Sequence, residues 1–177
     1  MSTTWRTWEY DFPPFFTLQP VEKTRTQQIN SWAKVILSYC ESENISSLDI
    51  TNKLFKNDKI DRALSSEDIN QIFQQLVKKG QLKYATDVNG SEIKTTVIVL
   101  WNSVSTWANL IFEWAQNYAI SITTMFDIIN GDDAEGQKFF KQNDGLISEA
   151  LVHLQNVGKA EVFYNEVGVI EGVKFFF

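Results

Sequence analysis

The sequence predicts an α+β fold that is mainly helical, built from two tandem copies of one module behind an extended N-terminal arm. Three observations lead to this prediction. Apolar residues recur at helical spacing, part of the pattern repeats 75 residues later, from Trp32 to Trp107, and all three prolines lie between Tyr10 and Pro20. We therefore expect an arm over residues 1–21, a first domain over 22–102 and a second over 103–177.

The arm combines prolines with aromatic rings, in the order Tyr10, Phe12, Pro13, Pro14, Phe15, Phe16 and Pro20. Proline lacks a backbone donor and biases its predecessor toward extended geometry, so the segment from Phe12 to Pro14 is predicted to run as polyproline II. A stiff strip that bears rings suits docking into a partner's pocket. Packing of the same rings onto their own domain, as a strap, explains the residues equally well.

The first module opens with a predicted amphipathic helix from Glu22 to Glu43. Its apolar positions share one face: Ile29, Trp32, Ala33, Ile36 and Cys40. Polar residues such as Gln28 fall between these positions and are assigned to the opposite face. The helix is therefore expected to contribute one side to a core and the other to solvent.

Weaker signals follow this helix. A short strand is predicted near Ile45–Ile50 and a short helix near Asn57–Arg62. The next long helix is better marked, because Ser65 offers an N-cap and Gly80 a stop. A hairpin then closes the module, with strands over 81–87 and 93–101 joined through Asn89-Gly90.

The second module repeats this order. The predicted elements are a helix striped by Trp107, Leu110, Ile111 and Trp114, a strand over 120–123, a helix over 125–130, a helix striped by Ile147, Ala150, Leu151 and Leu154, and a hairpin over 159–165 and 172–177. Helix, short strand, helix, helix and hairpin is the order of elements in a winged helix. The sequence thus predicts two tandem winged-helix domains.

The scarce reactive residues do not assemble into a catalytic pattern. Cys40 is the only cysteine, and it lies on an apolar helical face, while His153 is the only histidine. We therefore predict no catalytic residues and no enzyme. The acidic loop Asp132-Asp133-Ala134-Glu135 has alanine where an EF-hand needs Asp or Asn, so no metal and no cofactor are predicted either.

Nucleic-acid binding is the alternative that a winged helix raises. The net charge of −6 and the absence of Lys and Arg from residues 144–157, the second candidate recognition helix, argue against it. Lysines at 78, 79, 83 and 94 keep the alternative open for the first module. The longest apolar run, Val97–Trp101, is too short to span a membrane, so a cytoplasmic protein is expected.

The chain resembles the vacuolar protein sorting-associated protein 25 family, the small subunits of the endosomal sorting complex ESCRT-II. The residues that carry the resemblance are Tyr10-Asp11-Phe12-Pro13-Pro14-Phe15-Phe16-Thr17-Leu18-Gln19-Pro20 with Thr24-Arg25 and Trp32, then Leu54-Phe55-Lys56-Asn57, Leu100-Trp101 with Trp107 and Trp114, Asn130-Gly131-Asp132-Asp133, and Gly172-Val173-Lys174-Phe175-Phe176. The chain departs from the family pattern at Phe139-Phe140, where members carry Phe-His.

The resemblance implies a non-enzymatic assembly subunit. Its arm is expected to dock onto the larger subunits, vacuolar protein sorting-associated proteins 22 and 36, with Pro13, Pro14 and Phe16 as anchors and Phe12 and Phe15 in support. Two copies are expected in each complex. The second winged helix is expected to recruit the ESCRT-III subunit called protein 20, and we assign Asp132, Asp133 and Glu135 to that contact. The complex then sorts ubiquitinated membrane proteins into multivesicular bodies and touches the endosomal membrane only indirectly.

Overall fold

The computed structural model describes residues 5–177, which divide between Trp101 and Asn102 into two compact units. Each unit combines helices with a three-stranded antiparallel sheet. The predicted α+β class with two modules is confirmed. None of the helices in the described residues is long and apolar enough to cross a bilayer.

In the first unit, two 3-10 turns, Trp8–Asp11 and Pro13–Phe16, precede the helices and strands. The elements that follow are α1 (Glu22–Ser42), β1 (Ser47–Asp49), β2 (Lys56–Asn57), β3 (Arg62–Ala63), α2 (Ser66–Lys78), β4 (Leu82–Thr86) and β5 (Glu92–Val99). The main sheet has the order β1-β5-β4, and β2 pairs separately with β3. Helix α1 forms the centre of the core, because Trp32 and Ile36 on it are fully buried.

The boundaries of α2 follow from its sequence. The Ser65 hydroxyl accepts the Asp68 N–H at 3.0 Å, which satisfies one of the free donors in the first turn. Gly80 has a φ of +73°, a left-handed conformation that ends the helix at little cost for a residue without a Cβ. Ile69, Ile72, Phe73 and Leu76 are buried, as the apolar stripe predicts.

The helix predicted near Asn57–Arg62 is wrong. The structure has a 3-10 turn at Lys53–Phe55, followed by the short β2–β3 hairpin. The Asn57 side chain accepts the Lys59 N–H at 3.1 Å, and Asp61 has a φ of +52°. Both features belong to a tight turn and end any helical path through this segment.

The second unit contains α3 (Val104–Asn117), β6 (Ile122–Thr124), α4 (Met125–Asn130), α5 (Asp144–Asn156), β7 (Ala160–Tyr164) and β8 (Ile170–Phe175). Its sheet has the order β6-β8-β7. Side chains of Ser103, Thr124 and Asn143 cap the three helices. The core lies between α3 and α5, with Trp107, Ile111 and Leu151 fully buried.

Candidate partner-docking surface

The N-terminal arm is turned rather than extended. Pro13–Phe16 forms a 3-10 turn, and only the flanking residues Phe12 and Thr17 have extended dihedral angles. The prediction of polyproline II is therefore wrong beyond Phe12. Proline at the start of a helical turn gives up no hydrogen bond, and its fixed φ already suits the turn, so Pro13 and Pro14 initiate the turn instead of preventing it.

Tyr10 attaches the arm to the first unit. Its ring is 1% exposed, and its hydroxyl lies 2.8 Å from the Leu54 carbonyl oxygen and 3.1 Å from that of Lys56, to which it donates. The Asn57 side-chain amide donates to the Tyr10 carbonyl at 2.7 Å. Burial raises the pKa of Tyr10 to about 12, so the phenol keeps its proton at physiological pH.

Phe15 and Phe16 belong to the core of their own domain. The Phe15 ring stacks on Trp32 with ring centroids 4.4 Å apart, and the Phe16 ring meets Trp32 edge to face at 5.4 Å. Their exposed fractions are only 4% and 2%. As placed, these two rings pack on their own domain, as the strap interpretation describes. Their assignment to the partner contact, with Phe16 as an anchor and Phe15 in support, stays a prediction.

The other side of the arm forms an exposed apolar surface that we call the docking ridge, made of Trp8, Phe12, Pro13 and Pro14. Trp8 is 74% exposed and Phe12 is 49% exposed. Their ring centroids lie 5.9 Å apart. Sequence reasoning did not select Trp8. The available signal was its position four residues before Phe12, which one helical turn brings alongside.

A groove of ≈ 490 Å³ runs between the docking ridge and α1. Rings of the arm line one side of it, and small or amide side chains of α1 line the other, including Thr24, Gln27, Gln28 and Ser31. Among the described residues that line the groove, only Glu9 has an ionisable side chain. The ridge and groove therefore present a largely apolar surface with one carboxyl group, which fits an apolar partner better than a highly charged one.

Gln28, like Trp8, has a role that the sequence analysis did not predict. It was assigned to the polar face of α1, yet it is only 8% exposed and its side-chain amide bonds to the arm's backbone. Helical spacing placed it beside Ile29 at the edge of the apolar face. Nothing in that spacing shows that folded-back backbone covers this edge and requires a polar side chain there.

Asp11 fastens the outer side of the arm. Lys59 donates to one of its carboxylate oxygens at 2.8 Å, and Asn57 donates to the other at 3.1 Å. These hydrogen bonds lower the pKa of Asp11 below its ordinary value of 3.8. The pair with Lys59 is exposed, so it orients the arm more than it stabilises the fold.

In the second unit, the acidic loop presents three exposed carboxylates, those of Asp132, Asp133 and Glu135. The loop is anchored, because Ala134 is fully buried and the Trp114 indole donates to the Asp133 carbonyl at 2.8 Å. Phe139 lies beneath it, fully buried and edge to face with Trp114 at 5.3 Å. Among the described residues, no three metal-ligating side chains group together.

The two reactive residues lie in ordinary structural positions. Cys40 is fully buried in α1, where burial raises the pKa of its thiol to about 12. His153 lies half-buried in the last turn of α5. Neither geometry resembles a nucleophile activated by a neighbouring base.

Comparison with known proteins identifies the family. The family model described as ESCRT-II complex subunit matches residues 9–143, which include the turn at Pro13–Phe16 and all of the first unit beyond it. The chain belongs to this family. The suggested resemblance is thereby confirmed.

Relatives in the family span nearly the whole chain. The vacuolar protein-sorting-associated protein 25 of Danio rerio is 38% identical and covers 99% of this chain and 100% of its own length. That of Homo sapiens is 34% identical, with 99% of both chains covered. The protein from Arabidopsis thaliana is 30% identical and covers 94% of this chain and 92% of its own.

Solved structures agree with the family assignment. The crystal structure of subunit VPS25 of the endosomal trafficking complex ESCRT-II matches with a TM-score of 0.81 at 26% identity, covering 99% of this chain and 100% of that one. A chain in the crystal structure of the ESCRT-II complex of VPS22, VPS25 and VPS36 matches with a TM-score of 0.79, also at 26% identity, covering 99% of this chain and 100% of its own.

Proposed function

We propose that this chain is the small, non-enzymatic subunit of an ESCRT-II complex and docks onto two larger subunits through the docking ridge. The larger subunits are counterparts of vacuolar protein sorting-associated proteins 22 and 36, the companions named in the matching complex. One observation carries the proposal. Trp8 and Phe12 remain 74% and 49% exposed, although neighbouring rings of the same arm are buried.

The energetics favour the ridge as a docking element. Burying one large apolar side chain contributes about 1.5–3 kcal/mol, and aromatic residues dominate interface energetics. Tyr10 and the Phe15–Trp32 stack already hold the arm in place, so little of its conformational entropy remains to be lost on binding. A few exposed rings on such a base are enough for a stable contact.

The second unit has a separate role in the proposal, which is to recruit an ESCRT-III subunit, the counterpart of protein 20. The anchored acidic loop supports this role, because the Trp114 indole holds its backbone at the Asp133 carbonyl and its exposed carboxylates suit a basic helix. With two copies of the chain in each complex, two such surfaces are available for assembly on endosomal membranes. This assembly sorts ubiquitinated membrane proteins into multivesicular bodies.

Calorimetric titration of the purified larger subunits with the full chain tests the docking proposal. We expect Trp8→Ala and Phe12→Ala each to raise the Kd for the larger subunits by about 30-fold, the loss typical of a hot-spot residue. The melting temperature of the chain is expected to stay nearly unchanged. Phe126→Ala is the matched control, because Phe126 is 69% exposed but lies in the second unit. Equal affinity for both ridge variants and the wild type would remove the ridge from the interface.

A parallel titration with a DNA duplex separates the proposal from the nucleic-acid alternative. We expect no measurable binding at physiological salt, since α5 carries no Lys or Arg. Binding that falls steeply with added salt would instead favour the alternative.

A further inference from the structure

The backbone of the arm presents several carbonyl groups to α1. Those of Pro14, Phe15 and Thr17 lie against a helix whose own backbone donors, beyond its first turn, are used within the helix. Pro13 and Pro14 supply no N–H groups. The Pro14 carbonyl accepts the Thr17 N–H at 3.3 Å, whereas those of Phe15 and Thr17 need side-chain donors, since an unpaired buried carbonyl is costly.

The side chain of Gln28 supplies these donors. Its amide nitrogen lies 2.9 Å from the Thr17 carbonyl oxygen, 3.0 Å from that of Phe15 and 3.3 Å from that of Pro14. One amide proton points to the Thr17 carbonyl oxygen and the other to that of Phe15. The longer contact to the Pro14 oxygen shares one of these two protons. In return, the Gln28 carbonyl oxygen accepts the Gln19 N–H at 3.0 Å.

A glutamine side chain can both donate to the arm's carbonyl groups and accept the Gln19 N–H at this buried position. Glutamate has the same length but no donor when ionised, and methionine has the same shape but neither a donor nor a strong acceptor. Asparagine is one methylene shorter. The Trp32 indole also donates to the Phe15 carbonyl, at 3.0 Å, but it makes no bond to the Thr17 carbonyl. Gln19 and Arg25 reach the arm from its exposed side.

The bonded carbonyls lie directly behind the docking ridge. The Phe15 N–H donates to the Phe12 carbonyl at 2.9 Å, and the Phe12 N–H donates to Glu9 at 2.9 Å. A continuous set of hydrogen bonds thus runs from Gln28 through the turn to Phe12, which presents one ridge ring, and on to Glu9, which adjoins Trp8 in the chain. Gln28 also lines the groove beside the ridge.

We propose that Gln28 is a positioning residue for partner docking: its amide holds the arm's backbone in the turn that presents Trp8, Phe12 and Pro14 to the larger subunits. The inference rests on the proposed function and adds a residue buried behind the surface that the partner contacts. When the amide is lost, the arm samples other turns and the ridge loses its preorganised shape.

Three variants of the full chain test the inference. Gln28→Met removes the hydrogen bonds at similar volume, and Gln28→Glu places a carboxylate against the carbonyl oxygens. Gln71→Glu is the matched control, because Gln71 is an exposed helical glutamine on α2 that does not line the groove. The measurements are calorimetric Kd for the larger subunits, the melting temperature, and hydrogen exchange at the Gln19 amide.

We expect both Gln28 variants to raise the Kd by about tenfold or more, and exchange at Gln19 to accelerate by a similar factor in Gln28→Met, which lacks the acceptor for the Gln19 N–H. The control is expected to stay within about twofold of the wild type in both measurements. In Gln28→Glu, affinity recovers as the pH is lowered, because a protonated carboxyl regains a donor. A residue that served only overall stability would lower the melting temperature and leave the Kd of the folded chain near its wild-type value.

Several results would overturn the inference. These are a Kd within twofold of the wild type for both Gln28 variants, an equal loss of affinity in Gln71→Glu, or unchanged exchange at Gln19 in Gln28→Met. If both Gln28 variants leave the first unit unfolded, the amide is a requirement of the core and the positioning role is rejected. Failure of the wild-type chain to bind the larger subunits would reject the proposed function instead, and exchange at Gln19 would still test the hydrogen bonds.

Discussion

The ring of Phe15 lies parallel to the indole of Trp32, with centroids 4.4 Å apart and an angle of 3° between the ring planes. The Trp32 indole nitrogen also donates to the Phe15 carbonyl at 3.0 Å, so the same pair is joined by stacking and by a hydrogen bond. Together these contacts make the arm part of the first unit's core. They also divide the arm's rings into those that hold it and those that remain exposed.

This division leads to opposite expectations for two phenylalanines of one motif. Phe16→Ala removes a ring that is 2% exposed, so we expect the first unit to lose about 3–5 kcal/mol of unfolding free energy. Phe12→Ala removes a ring that is 49% exposed, so we expect a loss of about 1 kcal/mol or less. Urea denaturation of the two variants beside the wild type measures both values.

Affinity for the larger subunits is the second quantity to compare between these variants. We expect Phe12→Ala to lower this affinity, whereas Phe16→Ala mainly lowers the stability of the first unit. Equal stabilities for the two variants would contradict the burial that the structure assigns to these rings.

The acidic loop is expected to act by charge. Changing Asp132→Asn, Asp133→Asn and Glu135→Gln together removes three exposed carboxylates, and we expect affinity for the ESCRT-III subunit to fall about tenfold at low salt. Added salt is expected to reduce the difference in affinity between the wild type and the triple variant, because exposed charges are screened. The measurement is a calorimetric titration at two ionic strengths.

A matched control for the loop is Glu161→Gln, an exposed carboxylate on β7 of the same unit. The loop loses its assigned role if the triple variant binds as tightly as the wild type, or if the control weakens binding equally.

Asp11 is expected to give the first unit a pH-dependent contribution to stability. Hydrogen bonds from Lys59 and Asn57 lower its pKa in the folded chain below the ordinary value of 3.8. A carboxyl with a lowered folded-state pKa stabilises the fold above its unfolded pKa, and the contribution is lost as the pH falls through the folded pKa. The melting temperature of the wild type is therefore expected to drop below about pH 4 more steeply than that of Asp11→Asn.

Thermal melts across the acidic range test this expectation. The carboxyl is exposed and the effect small, so the useful quantity is the difference between the two chains at each pH. Parallel curves for the wild type and Asp11→Asn would show that these hydrogen bonds do not favour the charged form. Asp58→Asn is a suitable control, since Asp58 pairs with Lys56 in the same region.

The sequence by itself determined the parts of this protein that depend on local chemistry. Helix α2 forms between a serine cap and a glycine stop, and its apolar stripe is buried as predicted. The repeat from Trp32 to Trp107 showed that the fold is built from two modules, and the residues of the arm pointed to the ESCRT-II subunit family. Each of these signals acts over one helix or one motif, where periodicity and backbone preference suffice.

Only the tertiary structure decided which side of the arm is available to a partner. Proline chemistry permits both polyproline II and a 3-10 turn, and the choice depends on Trp32 and Gln28, which lie more than a dozen residues further along the chain. The same contacts bury Phe15 and Phe16, leave Trp8 and Phe12 exposed, and bring a glutamine from a predicted solvent face into the core. Burial is a property of the packed chain, so no local sequence pattern could show which of these rings are buried and which are exposed.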